Sequence, residues 1–232
     1  MGRMARVVCP GLAHHVTQRG NRRQETFFCD QDYQTYLALM GQWCGRCGVG
    51  VWAYCLMPNH VHLIVVPGSQ DGLRRAIGET HRRYTQIVNR RQGWTGHLWQ
   101  GRFGSVVMDE PHLLAATRYV ERNPVHAGLV DSPEAWPWSS AAAHISGKSD
   151  MLAESAWLAQ RTGGWVCSWR DYLTQDDKRA DAVGQQLRRH ERTGRPLGDK
   201  TFLERLEKLL GRTLLPQKRG PKPKAINPDG GV

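Results

Sequence analysis

The stretch Val49–Val66, VGVWAYCLMPNHVHLIVV, limits what this chain can fold into more than any other. Two runs rich in β-branched, aliphatic and aromatic residues are separated by Met-Pro-Asn. Proline is poorly tolerated inside a strand but suits a turn, so the pattern predicts a tight hairpin of strands 49–56 and 60–66. Neither run approaches the roughly 20 apolar residues of a membrane span. The second strand opens on His60 and His62, which share one face because side chains alternate along a strand. Val61, Leu63 and Val65 take the other. Burying two adjacent imidazoles without partners is costly, so something must satisfy them.

The flanking sequence supplies further elements. Residues 11–19 predict a strand and GNRRQ a basic turn. The spacing of Tyr33, Tyr36, Leu37, Met40, Trp43 and Cys44 predicts a helix over 31–47. A second helix follows over 71–91, with Leu73, Ile77, Tyr84 and Val88 inward. A Gly- and Trp-rich loop leads to a strand near 103–109. Pro111 opens a helix that is expected to end near Asn123-Pro124. This order predicts an α+β fold, a mainly antiparallel sheet with helices packed on one face.

Three segments are expected: a main domain over 1–147, a basic and partly helical region over 148–216, and a flexible tail over 217–232. The middle segment includes an amphipathic helix near 199–210. The tail follows from Pro/Gly content and the lack of a core pattern. The formal charge of the 232 residues is +11, with slightly more of the excess after residue 150 than before it. Such a balance favours an anionic partner, nucleic acid first. The carboxy-terminal segment reads either as a solvated helix packed on the main domain or as an auxiliary DNA-binding arm, with KRGPKPK resembling a minor-groove hook that lacks a second arginine. The amino terminus lacks a signal-peptide core, and a cytoplasmic location is expected. Six cysteines in a chain of this size read as thiols. Cys44 and Cys47 form C-x-x-C, but no second pair sits at zinc-finger distance.

His60 and His62 offer a two-point grip on a divalent metal. The bland alternative is one packed histidine and one at the solvent-facing strand end. In TRYVERNPVHAG, Tyr119 and Asn123 lie one helical turn apart, so an amide oxygen from Asn123 could complete a neutral ligand set with Tyr119 beside it. Asn-Pro as a helix stop and Tyr119 as core are the competing readings.

Taken in order, PNHVHLIV, LWQGRF and YVERNPVHAGLV resemble the HUH-type single-tyrosine transposases, in particular the REP-associated tyrosine transposases. The resemblance spans about residues 1–147 and includes TQRGNRRQ and WPWSS. It implies a ferredoxin-like (RRM-like) HUH fold, metal ligands at His60 and His62, and a nucleophile at Tyr119. It further implies a third ligand at Asn123, where relatives often carry glutamine. Cleavage and rejoining of single-stranded or hairpin DNA through a 5′-phosphotyrosine is the activity implied.

That chemistry suits the residues. A phenol is a weak nucleophile at neutral pH, and a cation held by neutral ligands keeps its charge for an anionic phosphodiester. The mixed nitrogen and oxygen set favours Mg²⁺ or Mn²⁺. Tyr84, beside His81 and an arginine cluster, is a rival nucleophile without a ligand-type residue one turn later. Basic residues interleaved with aromatics are the expected grip on DNA: Arg19, Arg22 and Arg23, then Arg82, Arg83, Arg90 and Arg91, then Trp94, Trp99, Arg102 and Phe103. The alternatives are a non-cleaving DNA- or RNA-binding regulator on the same fold and an HUH replication initiator or relaxase. A monomer is favoured over a homodimer, because no exposed apolar stripe is evident.

Overall fold

The computed structural model describes residues 5–148, 150–162, 168–175 and 178–215. Four strands form one sheet: β1 (His14–Arg19), β2 (Val49–Met57), β3 (His60–Pro67) and β4 (Gly104–Val107). Their order is β2-β3-β1-β4, and every pairing is antiparallel. Met57 pairs with His60 across the two-residue turn at Pro58-Asn59, as the proline required. Backbone bonds pin the tip of this hairpin, Gly20 N–H to the Asn59 carbonyl and Thr26 N–H to the Pro58 carbonyl, each 2.8 Å.

Helices line both faces of the sheet, which corrects the one-face expectation. Val16, Val61, Leu63 and Val65 pack against α1 (Asp30–Cys47) and α2 (Gly72–Gln92). The opposite residues, among them Ala53, Cys55, Ile64 and Val106, are apolar too, and meet α3 (Glu110–His126) and α7 (Lys178–Thr193). A sheet whose strands bury both faces needs a layer on each, and the near-continuous apolar runs of β2 and β3 signal that arrangement. Between α3 and α7 lie the short helices α4 (Ala141–Ser146), α5 (Ala156–Thr162) and α6 (Trp169–Thr174).

The segment after residue 147 shares cores with what precedes it. Leu187 of α7 and Leu197 join the Ile64 side of the sheet, while Leu206 of α8 (Lys200–Leu210) packs with Val7, Cys9 and Val107. The expected tail at 217–232, with KRGPKPK, lies outside the described residues. Among the described residues no helix is long and apolar enough to cross a membrane.

Helix α3 runs past the predicted stop. Asp109 caps its first turn by accepting from His112 N–H, with Pro111 where proline is tolerated. Pro124 lies inside the helix and cannot donate to the Val120 carbonyl. The Asn123 amide donates to that carbonyl at 3.3 Å and to Tyr119 O at 2.9 Å, so the acceptor freed by proline is satisfied and the helix continues to His126.

Candidate active site on the sheet and α3

The register places His60 opposite Arg19 and His62 opposite Thr17, so His15 lies diagonally from His62 on the same face. All three histidines face α3. The His60 and His62 ring centroids are 4.9 Å apart. Tyr119, from the middle of α3, stands edge-on to His62 at 5.6 Å with planes at 88°, and edge-on to His15 at 6.2 Å. Asn123 is one turn beyond. Its NH₂ donors serve the helix carbonyls, which leaves the amide oxygen as the atom suited to a cation.

Both histidines of β3 use their Nδ1 atoms. His60 Nδ1 donates to Asn59 Oδ1 at 2.6 Å, and the Asn59 amide donates in turn to the Arg23 carbonyl at 3.2 Å. His62 Nδ1 shares a hydrogen bond of 3.0 Å with His15 Nε2. Each ring thus has Nε2 left for another partner, the usual state of a metal-binding imidazole. Burial depresses the basicity of all three. His15 falls to about 3, and His60 to about 4 with help from the Arg19 charge. His62 falls well below the ordinary histidine value, chiefly through burial and then through His60 and His15. At neutral pH all three are uncharged, with lone pairs available. His15, His62 and Glu191 also bring potential ligand atoms within 4.8 Å of one another, but His15 Nε2 and His62 Nδ1 are engaged with each other, which leaves His60, His62 and the Asn123 oxygen as the donors for a cation. The donor set fits a divalent metal.

Burial also raises the Tyr119 phenol. The Glu191 carboxylate adds to this, while Arg188 and Arg19 oppose it. Arg188, on α7, lies over the tyrosine ring at 5.7 Å.

The remaining sequence candidates divide. Arg19, Arg22, Arg23, Arg82, Arg83, Arg90 and Arg102 are exposed. Arg22 and Arg23 adopt left-handed backbones, φ 52° and 62°, a sparsely populated conformation for such residues that often accompanies functional sites. The Arg91 guanidinium is paired with Asp32. Trp99 and Phe103 are corrected to core residues. Trp99 stacks on His81 at 4.5 Å among Phe27, Tyr36 and Tyr84, and Phe103 is buried beneath the Arg6 guanidinium. Neither offers a free ring face. Trp94 and Phe28 are exposed and edge-to-face at 5.8 Å. Tyr84 is fully buried and donates to the Thr26 carbonyl at 2.6 Å, which removes it as a nucleophile.

Residues 9–123 match the family model described as "Transposase IS200 like". That stretch is similar to the IS200-like transposases. The matched region contains His15, His60, His62, Tyr119 and Asn123. A Haemophilus influenzae sequence assigned by name to the REP-associated tyrosine transposases is 28% identical over 99 residues, 38% of this chain and 56% of that relative. The chain thus spans about half the length of this curated relative. A solved REP-associated tyrosine transposase, bound to a REP hairpin, superposes with a TM-score of 0.55 at 20% identity, covering 66% of this chain and 92% of that one. That likeness establishes the shared α+β fold.

Sequence reasoning had not singled out His15, Asn59, Arg188 and Glu191. His15 carried a signal, a second histidine in phase on the neighbouring strand. Glu191 carried none, because only folding brings α7 to the sheet.

Proposed function

We propose that this domain is a metal-dependent, single-tyrosine DNA endonuclease and strand transferase acting on single-stranded or hairpin DNA. The observation that carries the reading is Tyr119 edge-on to His62 within one chain, beside two histidines whose Nε2 atoms are uncommitted. His60, His62 and the Asn123 oxygen would hold Mg²⁺ or Mn²⁺. When bound, the cation would supply Lewis-acid polarisation and orientation of the scissile phosphate.

The chain's own residues perform the rest. The Tyr119 oxygen attacks phosphorus and the 3′ oxygen leaves, giving a 5′-phosphotyrosine and a free 3′ hydroxyl. Because the bond energy is kept in the ester, the reverse attack rejoins strands. Arg19 and Arg188 lend positive charge to a phenol that burial disfavours as phenolate. Arg22, Arg23, Arg82, Arg83, Arg90 and Arg102 neutralise backbone phosphates, with Trp94 and Phe28 as exposed faces for unpaired bases. Histidines and tyrosine coming together in a single chain supports a monomer as the working unit. The expectation of a cytoplasmic protein is consistent with this substrate.

The test is a denaturing gel of the protein with labelled hairpin DNA from around its own gene, in Mn²⁺. A covalent adduct is expected, absent in Tyr119→Phe and His60→Ala and kept in Tyr84→Phe. Specific binding without adduct from any such hairpin would overturn the cleavage reading in favour of a regulator.

A further inference from the structure

The family match ends at residue 123, yet α7 supplies one wall of the site. Gly184, Arg188 and Glu191 are four and three residues apart, so they share a helix face. Gly184 abuts Tyr119, Arg188 covers its ring, and Glu191 Oε1 lies 3.6 Å from His15 Nδ1. That His15 nitrogen is buried and has no hydrogen-bond partner among the described residues. Glu191 is the carboxylate it faces.

The geometry of the two imidazoles limits what they can do. The His15 and His62 planes differ by 8°, with centroids 5.2 Å apart and nitrogens 3.0 Å apart. The rings therefore meet edge to edge in nearly one plane, with the two nitrogens aimed at each other. Ring nitrogens so arranged share a proton. They cannot converge on one ion, because an ion needs both lone pairs pointing to a common point off that line. The proton's position follows from the ligand role. If His62 keeps Nε2 for a cation, its proton sits on Nδ1 and is donated to His15 Nε2. The His15 proton must then be on Nδ1, the atom that faces Glu191.

We infer that Glu191 and His15 are positioning residues, a carboxylate–imidazole–imidazole chain that holds His62 in its Nδ1–H form with Nε2 open to the divalent cation. The inference rests on the metal-dependent reading above. Such outer partners orient a metal-binding histidine and raise its basicity, and their loss weakens metal affinity by about 10- to 100-fold. The site therefore depends on a helix outside the matched domain.

Two measurements on the full chain test this, neither needing DNA or turnover. Histidine ¹⁵N NMR of the metal-free protein is expected to show His62 and His15 both protonated on Nδ1. His62 protonated on Nε2 would overturn the chain, whatever any variant does. Titration calorimetry with MnCl₂ alone is expected to show roughly 10-fold weaker binding for Glu191→Leu and for His15→Phe. The double variant should lose no more than His15→Phe, since the two act in series. Glu191→Gln, which can still accept from His15, should recover most of the affinity. Unchanged affinity in Glu191→Leu, or additive losses, would overturn the inference. If His60→Ala abolishes Mn²⁺ binding and Glu191→Leu leaves it intact, only the chain fails. A wild-type protein that binds no Mn²⁺ ends the metal reading as well.

Discussion

A Cβ on Gly184 would lie 2.6 Å from Cδ2 of Tyr119, so α7 can rest on the tyrosine only because this position has no side chain. In an isolated helix, Gly→Ala is worth about 1 kcal/mol in favour of alanine. Here the collision should reverse the sign. Gly184→Ala is expected to cost about 1–3 kcal/mol, the range for overpacking, and to raise hydrogen exchange along α7. In a Tyr119→Ala background the ring is gone and Gly184→Ala should become neutral or stabilising. Denaturant melts of the four proteins measure the coupling. Equal effects in both backgrounds would mean that the glycine does not set this contact.

Two buried histidines away from the site make the fold sensitive to acid. His14 accepts from Cys9 N–H at Nε2 and donates from Nδ1 to the Leu12 carbonyl, so a second proton would face another donor. Burial lowers it to about 4 and lowers His81, bonded to the Tyr36 hydroxyl, to about 3. Between those values and 6.5 only the unfolded chain takes up the proton. Each group thus removes up to about 1.4 kcal/mol of stability per pH unit as the pH falls through that window. Urea midpoints should drop between pH 7 and 5.5, and less steeply in His81→Gln. A flat profile would be incompatible with neutral buried imidazoles.

The opposite sign is expected at His144. Glu121, two residues after Tyr119, accepts from Ser140 at 2.6 Å, from Trp169 at 2.8 Å and from His144 Nδ1, all buried. Burial alone would lower His144, but the Glu121 carboxylate outweighs it and raises the imidazole above its ordinary value. The stabilisation is fully present below about pH 6.5 and is lost as pH rises through the raised folded value. The stability gap between wild type and His144→Gln should therefore be larger at pH 6 than at pH 9. Glu121→Leu, which strands three donors, should cost about 3–5 kcal/mol and loosen the segment that carries Tyr119.

The four strands and the first three helices were legible because each has a strong local pattern: alternation or apolar runs for the sheet, helical spacing for α1 and α2, Asp-Glu-Pro for the start of α3. The far end of α3 was misread because Asn123-Pro124 looks like a stop until the Asn123 side chain is seen satisfying the freed carbonyl. His60, His62, Tyr119 and Asn123 were visible through spacing and order. Trp99 and Phe103 were misassigned because an aromatic in a basic Gly-rich loop reads the same whether its ring turns outward or into the core. Glu191 and Arg188 were invisible, since their meeting with His15 and Tyr119 depends on how α7 returns across the sheet.

Arg90 and Arg91 look equivalent in sequence and should behave differently. Arg91 forms an ion pair with Asp32, whose side chain is 2% exposed while the arginine's is 40% exposed. Burial would raise the Asp32 carboxyl, but Arg91 and the Phe28 and Cys29 amides together bring it below its ordinary value. Removing the arginine leaves a buried carboxylate without its cation. Arg91→Ala should therefore cost about 2 kcal/mol of stability, less than a fully buried pair because water already reaches the guanidinium. Arg90 is exposed at the end of the same helix. Arg90→Ala should leave the melting temperature within about 2 °C, given surface effects near ±0.5 kcal/mol. It should instead reduce the slope of log affinity for hairpin DNA against log salt by about 1. Thermal melts and salt-dependent binding of both variants separate the two roles. A melting loss in Arg90→Ala, or an unchanged salt slope, would remove Arg90 from the DNA-binding face.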